Sequence, residues 1–91
     1  MAIPEDVINE IKYRNDIESV INPYVNLKRR GKNLVGLCPF HNEKSPSFSV
    51  AGGKQMYHCF GCGAGGNVFT FIMNYENYTF PEAVKVTLIK A

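Results

Sequence analysis

Ninety-one residues, 45% of them hydrophobic, suffice for one small domain with a thin core, and a chain of that size is expected to need a metal, disulfides or a partner to hold its fold. No apolar run approaches the roughly 18 residues of a membrane-spanning helix, and the opening MAIPEDV lacks the basic and apolar regions of a secretory signal, so a cytoplasmic protein is expected. The formal net charge of +2 hides an asymmetry: residues 1–22 carry Lys12 and Arg14 against Glu5, Asp6, Glu10, Asp16 and Glu18, while residues 24–58 carry Lys28, Arg29, Arg30, Lys32, Lys44 and Lys54 against Glu43 alone.

Pro4 suits the start of a helix, with Glu5 and Asp6 placed where the dipole favours them. Val7, Ile8 and Ile11 form its apolar stripe. Asn15-Asp16 interrupts that helix and caps a second, Ile17–Ile21, which Pro23 ends. From Tyr24 the period becomes two: residues 24–28 read as a strand, 29–33 as a basic turn at Gly31, and 34–38 as the returning strand. Ser47–Val50 alternates, Gly52-Gly53 turns, and Gln55–His58 pairs back. Asn67 caps a helix from Val68 to Tyr75, and Thr79-x-x-Glu82 is a capping box for a last helix carrying Val84 and Leu88. The fold class is therefore small α+β: an antiparallel sheet of three to five strands flanked by N-terminal and C-terminal helices. Residues 4–22 are the helical lead-in, 24–66 the sheet module and 67–91 the C-terminal helices of one domain.

All three cysteines and both histidines lie between Cys38 and Cys62. Cys38 and His41 form one pair, Cys59 and Cys62 a second, and the whole reads C-x2-H-x17-C-x2-C. Two such knuckles direct four ligands inward to a tetrahedral Cys3His site, which suits one structural Zn2+ in a zinc ribbon. Iron fits the same geometry, with zinc better matched to a closed site holding one imidazole. A redox dithiol at Cys59 and Cys62 leaves Cys38 and His41 without a task, and a disulfide framework leaves one thiol over. His58 is the competing imidazole, but as the strand neighbour of Cys59 it points to the opposite face. Gly61 and Gly63 let backbone amides turn towards the thiolates; no P-loop or dinucleotide-binding spacing accompanies them.

Single-stranded DNA is held by combining basic grooves with aromatic platforms. Lys28, Arg29, Arg30 and Lys32 supply charge at the first hairpin, and Lys44 and Lys54 near the second. Phe48, Tyr57 and Phe60 are the candidate platforms, Tyr57 the better surface candidate because its hydroxyl tolerates water; ordinary core packing is the competing reading for Phe40 and Phe48. No convergent set of carboxylates could hold the two metal ions of phosphoryl transfer, and a four-ligand zinc site leaves no open position. This chain alone is thus not expected to be catalytic.

Cys38-Pro39-Phe40-His41, Glu43-Lys44-Ser45-Pro46-Ser47-Phe48 and the run Tyr57–Asn67 resemble the signature of the amino-terminal zinc-binding domain of bacterial DNA primases of the DnaG type. The resemblance extends through Ile3-Pro4, Tyr24-Val25-x-Leu27-Lys28-Arg29-x-Gly31, Phe69-x-Phe71 and Phe80-x-Glu82-Ala83. It implies ligands at Cys38, His41, Cys59 and Cys62, and a module that binds single-stranded template, helps choose the start site and supports RNA primer synthesis by a separate polymerase domain. Implied partners are that polymerase domain, in cis or in trans, and the replicative helicase at the replication fork, with no membrane. The chain would then be the N-terminal part of a longer primase. Ala51-Gly52-Gly53 and the segment 86–91 depart from the pattern, which leaves room for the equivalent module of a phage or mobile element. The alternative function is a zinc ribbon that mainly contacts the helicase or polymerase domain.

Overall fold

The structure, a computed structural model, describes residues 3–42 and 44–90, with side chains described as far as Thr87. The elements run α1 (Glu5–Arg14), α2 (Ile17–Ile21), β1 (Lys28–Arg30), β2 (Asn33–Gly36), β3 (Phe48–Ala51), β4 (Met56–Cys59), β5 (Gly65–Gly66), α3 (Val68–Glu76) and α4 (Phe80–Lys90). The strands form one antiparallel meander in the order β1-β2-β3-β4-β5. The expected sheet flanked by N-terminal and C-terminal helices is thus observed, at the upper end of the expected strand number. The place of Glu43 and the packing of Leu88 lie outside the described features.

The sheet has one covered face and one bare one, and strand alternation decides which residue goes where. Phe48 and Val50 of β3 and Tyr57 and Cys59 of β4 are buried, beneath α2 and α3, which contact β3 and β4 respectively. Phe48 stacks on Tyr57 with ring centroids 5.3 Å apart, and Phe71 from α3 meets Tyr57 edge-on at 5.6 Å. Ser49, Ala51, Met56 and His58 take the alternate positions, facing away from the helices.

Helix ends follow local chemistry where the sequence supplies it. The Asn67 side chain accepts from the Thr70 amide at 3.0 Å. Thr79 and Glu82 form the reciprocal capping box, the Thr79 amide donating to Glu82 Oε1 at 2.8 Å and the Glu82 amide to Thr79 Oγ1 at 3.4 Å. These bonds hold the fully exposed Glu82 carboxyl below its usual range.

Other expectations are corrected. Pro4 stands at the N-cap of α1, as expected, but Val7 is 42% exposed, leaving Ile11 as the buried residue of that helix. Tyr24 and Val25 do not begin a strand: both amides donate to the Ile21 carbonyl, at 2.8 and 3.0 Å, prolonging the end of α2. The first hairpin pairs Arg29 with Leu34 and Arg30 with Asn33. Both arginines therefore belong to β1, and the turn shrinks to Gly31-Lys32. Asp16 takes the N-cap position of α2 without capping it. The cap comes instead from Gln55, whose Oε1 accepts the Ile17 amide at 2.8 Å while its Nε2 donates to Asp16 Oδ1 at 2.7 Å. Gly65-Gly66, which carries no alternating pattern, supplies the fifth strand. A Cβ at Gly66 would sit 2.6 Å from Thr70 Cβ, so the glycine permits the close approach of β5 to α3.

Candidate metal centre and the bare sheet face

Cys38 and His41 lie just beyond β2, Cys59 ends β4 and Cys62 follows in the next turn. The fold brings all four together, with their ligand atoms within 4.8 Å of one another. Cys38 Sγ is 3.8 Å from Cys62 Sγ, and Cys59 Sγ is 3.9 Å from His41 Nδ1. Ligands about 2.3 Å from a tetrahedral zinc stand about 3.7 Å apart, so these separations fit that ion. His58, the competing imidazole, is exposed on the opposite face of β4 and meets Phe60 in a T-shaped ring contact at 4.7 Å.

Each knuckle turns backbone donors onto its first sulfur. The Phe40 amide donates to Cys38 Sγ at 3.3 Å and the Gly61 amide to Cys59 Sγ at 3.4 Å. Burial pushes the Cys38 thiol up to about 12, with the Phe40 amide opposing and the neighbouring thiols adding to the rise. Burial acts in the same sense on Cys59, but the Cys62 and Gly61 amides and the adjacent thiols outweigh it and hold that thiol below its ordinary value. Of these two, Cys59 is therefore the readier thiolate and Cys38 the one that resists losing its proton. A dication is what would bring all three to the thiolate form. With three sulfurs, one imidazole and, among the described residues, no fifth protein ligand in the cluster, the residues fit a structural zinc.

Of the residues expected to meet nucleic acid, Lys28, Arg29, Arg30, Lys32, Lys44, Lys54 and Phe60 are exposed. Tyr57 is not. Its ring is only 2% exposed within the aromatic cluster, and its hydroxyl accepts from Asn74 Nδ2 at 3.4 Å, so the reading of Tyr57 as a surface platform is corrected. The signal was available: Tyr57 lies two residues before Cys59, and strand alternation puts it on the ligand's inward face. Burial raises its phenol above the ordinary range, although the Asn74 bond opposes this.

Two open hollows adjoin the sheet. One, of about 490 Å³, lies at its β1–β2 edge, where Tyr24, Val25 and Gly36 line it together with Lys28, Val35 and Lys44. The other, of about 530 Å³, is lined by Ser49, Lys54, Met56, His58, Phe60 and Gly65. One cross-strand row separates and joins them, Lys28–Val35–Ser49–His58–Gly65, running over all five strands. Among the described residues no helix is long and apolar enough to cross a membrane.

Comparison with known proteins agrees with this geometry. A family model described as CHC2 zinc finger matches residues 3–91. The DNA primase of Enterococcus faecalis is 58% identical over 83 residues, 91% of this chain and 13% of that protein. That of Halalkalibacterium halodurans is 59% identical over 88 residues, 97% of this chain and 14% of that protein. The crystal structure of the Aquifex aeolicus primase, comprising zinc-binding and RNA polymerase domains, superposes with a TM-score of 0.88 at 40% identity, covering 91% of this chain and 21% of that one. The chain thus spans only a small part of the length of the relatives it matches. With its four clustered ligands, its five-stranded sheet and a family match from residue 3 to residue 91, the chain belongs to the CHC2 zinc fingers, the N-terminal zinc ribbons of bacterial DNA primases of the DnaG type.

Proposed function

We propose that this chain is the zinc-binding, template-binding part of a cytoplasmic DNA primase, holding single-stranded DNA and helping to select the start site for RNA primer synthesis by a separate polymerase domain. One structural Zn2+, held by Cys38, His41, Cys59 and Cys62, would fix the ends of β2 and β4 and supply folding free energy rather than chemistry. The observation that carries the reading is the bare sheet face, where Lys28, Arg30, Lys54 and the exposed ring of Phe60 share one side of a sheet anchored by the metal cluster. Charge draws in the phosphate backbone, and an aromatic ring offers a base a stacking surface irrespective of sequence. The reaction itself, and contacts to the polymerase domain and the replicative helicase, would belong to the longer polypeptide of which this chain is one domain.

A second reading, a protein-contact module, draws on α1. That helix exposes Val7 and Tyr13, the latter to 89%, beside Glu5, Asp6 and Glu10. This acidic side would repel DNA and suits a protein partner. Titrating a labelled single-stranded oligonucleotide with the zinc-loaded chain separates the two. Micromolar or weaker binding that falls as salt rises is expected; no binding at low salt and high protein concentration would leave the protein-contact reading.

A further inference from the structure

We propose that the hollow between Lys54 and Phe60 receives one unstacked nucleobase of the template, with Phe60 as its stacking wall and Asn33 and Ser49 as the groups that read the base edge. The inference rests on the single-stranded DNA reading above and gives that face a discriminating subsite.

Packing does not account for the apolar surface here. Phe60 is 77% exposed and Met56 44%, and both line this hollow. The T-shaped contact with His58 holds the Phe60 ring in place. A ring that is both exposed and positioned is what base stacking requires. The floor is made of small residues, Ser49, Ala51 and Gly65. At Gly65 a Cβ would stand 3.1 Å from the Tyr57 carbonyl oxygen and 3.2 Å from His58 Nδ1, so a larger residue would crowd the floor.

The polar groups around this floor are uncommitted. No interaction among the described residues engages the side chains of Asn33, Ser49 or Lys54. The Asn33 amide and Ser49 hydroxyl each both donate and accept, so together they can match one pattern of donors and acceptors on a base edge and mismatch another. Asn33 begins β2 and Ser49 lies within β3, on strands of a sheet pinned by the metal cluster, and rigid presentation is what discrimination needs. Lys28 stands at the far end of the row through Ser49, four strand spacings or about 19 Å from Gly65. It is placed to hold backbone phosphate a few nucleotides away while the base occupies the hollow.

The test is a low-salt fluorescence titration of the zinc-loaded chain against labelled dT, dC and dA homo-oligonucleotides. Phe60→Ala should weaken every oligonucleotide by about five- to a hundredfold, the range that loss of one stacked base spans. Phe60→Leu, which keeps the bulk without the π face, should weaken them by more than about threefold. Asn33→Ala and Ser49→Ala should lower affinity for the preferred base and leave the others within about twofold, compressing the ranking. Lys28→Ala should scale all three equally. Zinc content and thermal transition verify that each variant is folded. If the parent chain binds but Phe60→Ala stays within twofold throughout, or if Asn33→Ala and Ser49→Ala leave the ranking intact, the subsite is wrong and the broader DNA reading stands. If the parent chain binds none of the oligonucleotides, the broader reading falls and takes the subsite with it.

Discussion

Glu18 on α2 faces Arg29 on β1, with Oε1 3.7 Å from Nη2, whereas among the described residues the adjacent Arg30 has no such anion. The register explains the difference. Arg29 pairs with Leu34, which in turn pairs with the buried Val50, so it lies on the helix side of the sheet. Arg30 pairs with Asn33 and lies on the bare side. A Cβ at Gly52 would run into the Glu18 carboxylate, so the acidic helix also closes over the second hairpin turn there.

Two neighbouring arginines are therefore expected to behave differently. Arg30→Ala should weaken single-stranded DNA binding uniformly across sequences and reduce the salt slope by about one. Arg29→Ala should change affinity by less than half as much and cost only about 0–1 kcal/mol of stability, because its side chain is 61% exposed and an exposed pair is screened by solvent. Glu18→Gln, which frees Arg29, should tighten binding slightly. Oligonucleotide titrations at several salt concentrations check this, and equal slopes for the two arginine variants would refute the assignment.

The metal should be stoichiometric and should govern folding. One Zn2+ per chain is expected by elemental analysis, and Cys59→Ala should lose both the metal and the cooperative thermal transition. The Cys38 thiol, raised to about 12 by burial, is protonated at neutral pH until a metal displaces its proton. Zinc affinity should therefore rise with pH, and at least one proton should be released on loading near pH 7. Competition against a chromophoric chelator at two pH values, together with proton release in weak buffer, measures both. A metal-free chain with an unchanged melting profile would contradict the structural role.

What was legible in the sequence was whatever a short segment determines by itself. The two knuckles, the Asn67 cap and the Thr79–Glu82 box are each closed by residues two to four positions apart, so spacing and residue type suffice. What was not legible depends on distant parts of the chain. Capping of α2 by Gln55 spans 38 residues, and β5 exists only because β4 offers an edge to two glycines.

Tyr57 and Phe60 should separate stability from binding. Tyr57→Ala removes a ring packed against Phe48 and Phe71 and should cost about 3–5 kcal/mol, enough to unfold much of so small a domain even with zinc. Tyr57→Phe loses only the long bond from Asn74 and should cost about 1 kcal/mol or less. Phe60→Ala, at an exposed ring, should stay within about 0.5 kcal/mol of the parent. Denaturant midpoints of the zinc-loaded proteins decide; comparable losses for the two alanine variants would mean that Phe60 is a core residue.

Gln55 ties the second hairpin to the N-terminal helices, and its removal tests whether that tie orders α2. Its side chain accepts from the Ile17 amide and donates to Asp16 Oδ1 and to the Gly52 carbonyl, the last at 2.6 Å. Its backbone holds φ of 54°, left-handed territory that disfavours a Cβ. The two effects oppose each other and can be separated. Gln55→Ala keeps the strain and loses three bonds, so it should cost about 1–3 kcal/mol. Gln55→Gly loses the same bonds but relieves the strain, so it should be more stable than Gln55→Ala by up to about 1 kcal/mol. In both variants the Ile17 amide should exchange with solvent much faster, while the Thr70 amide, capped locally by Asn67, should keep its protection. Hydrogen exchange by NMR on the zinc-loaded chain reads the two amides side by side. If Ile17 stays as protected as in the parent chain, α2 is held by the burial of Ile17, Val20 and Ile21 rather than by its distant cap.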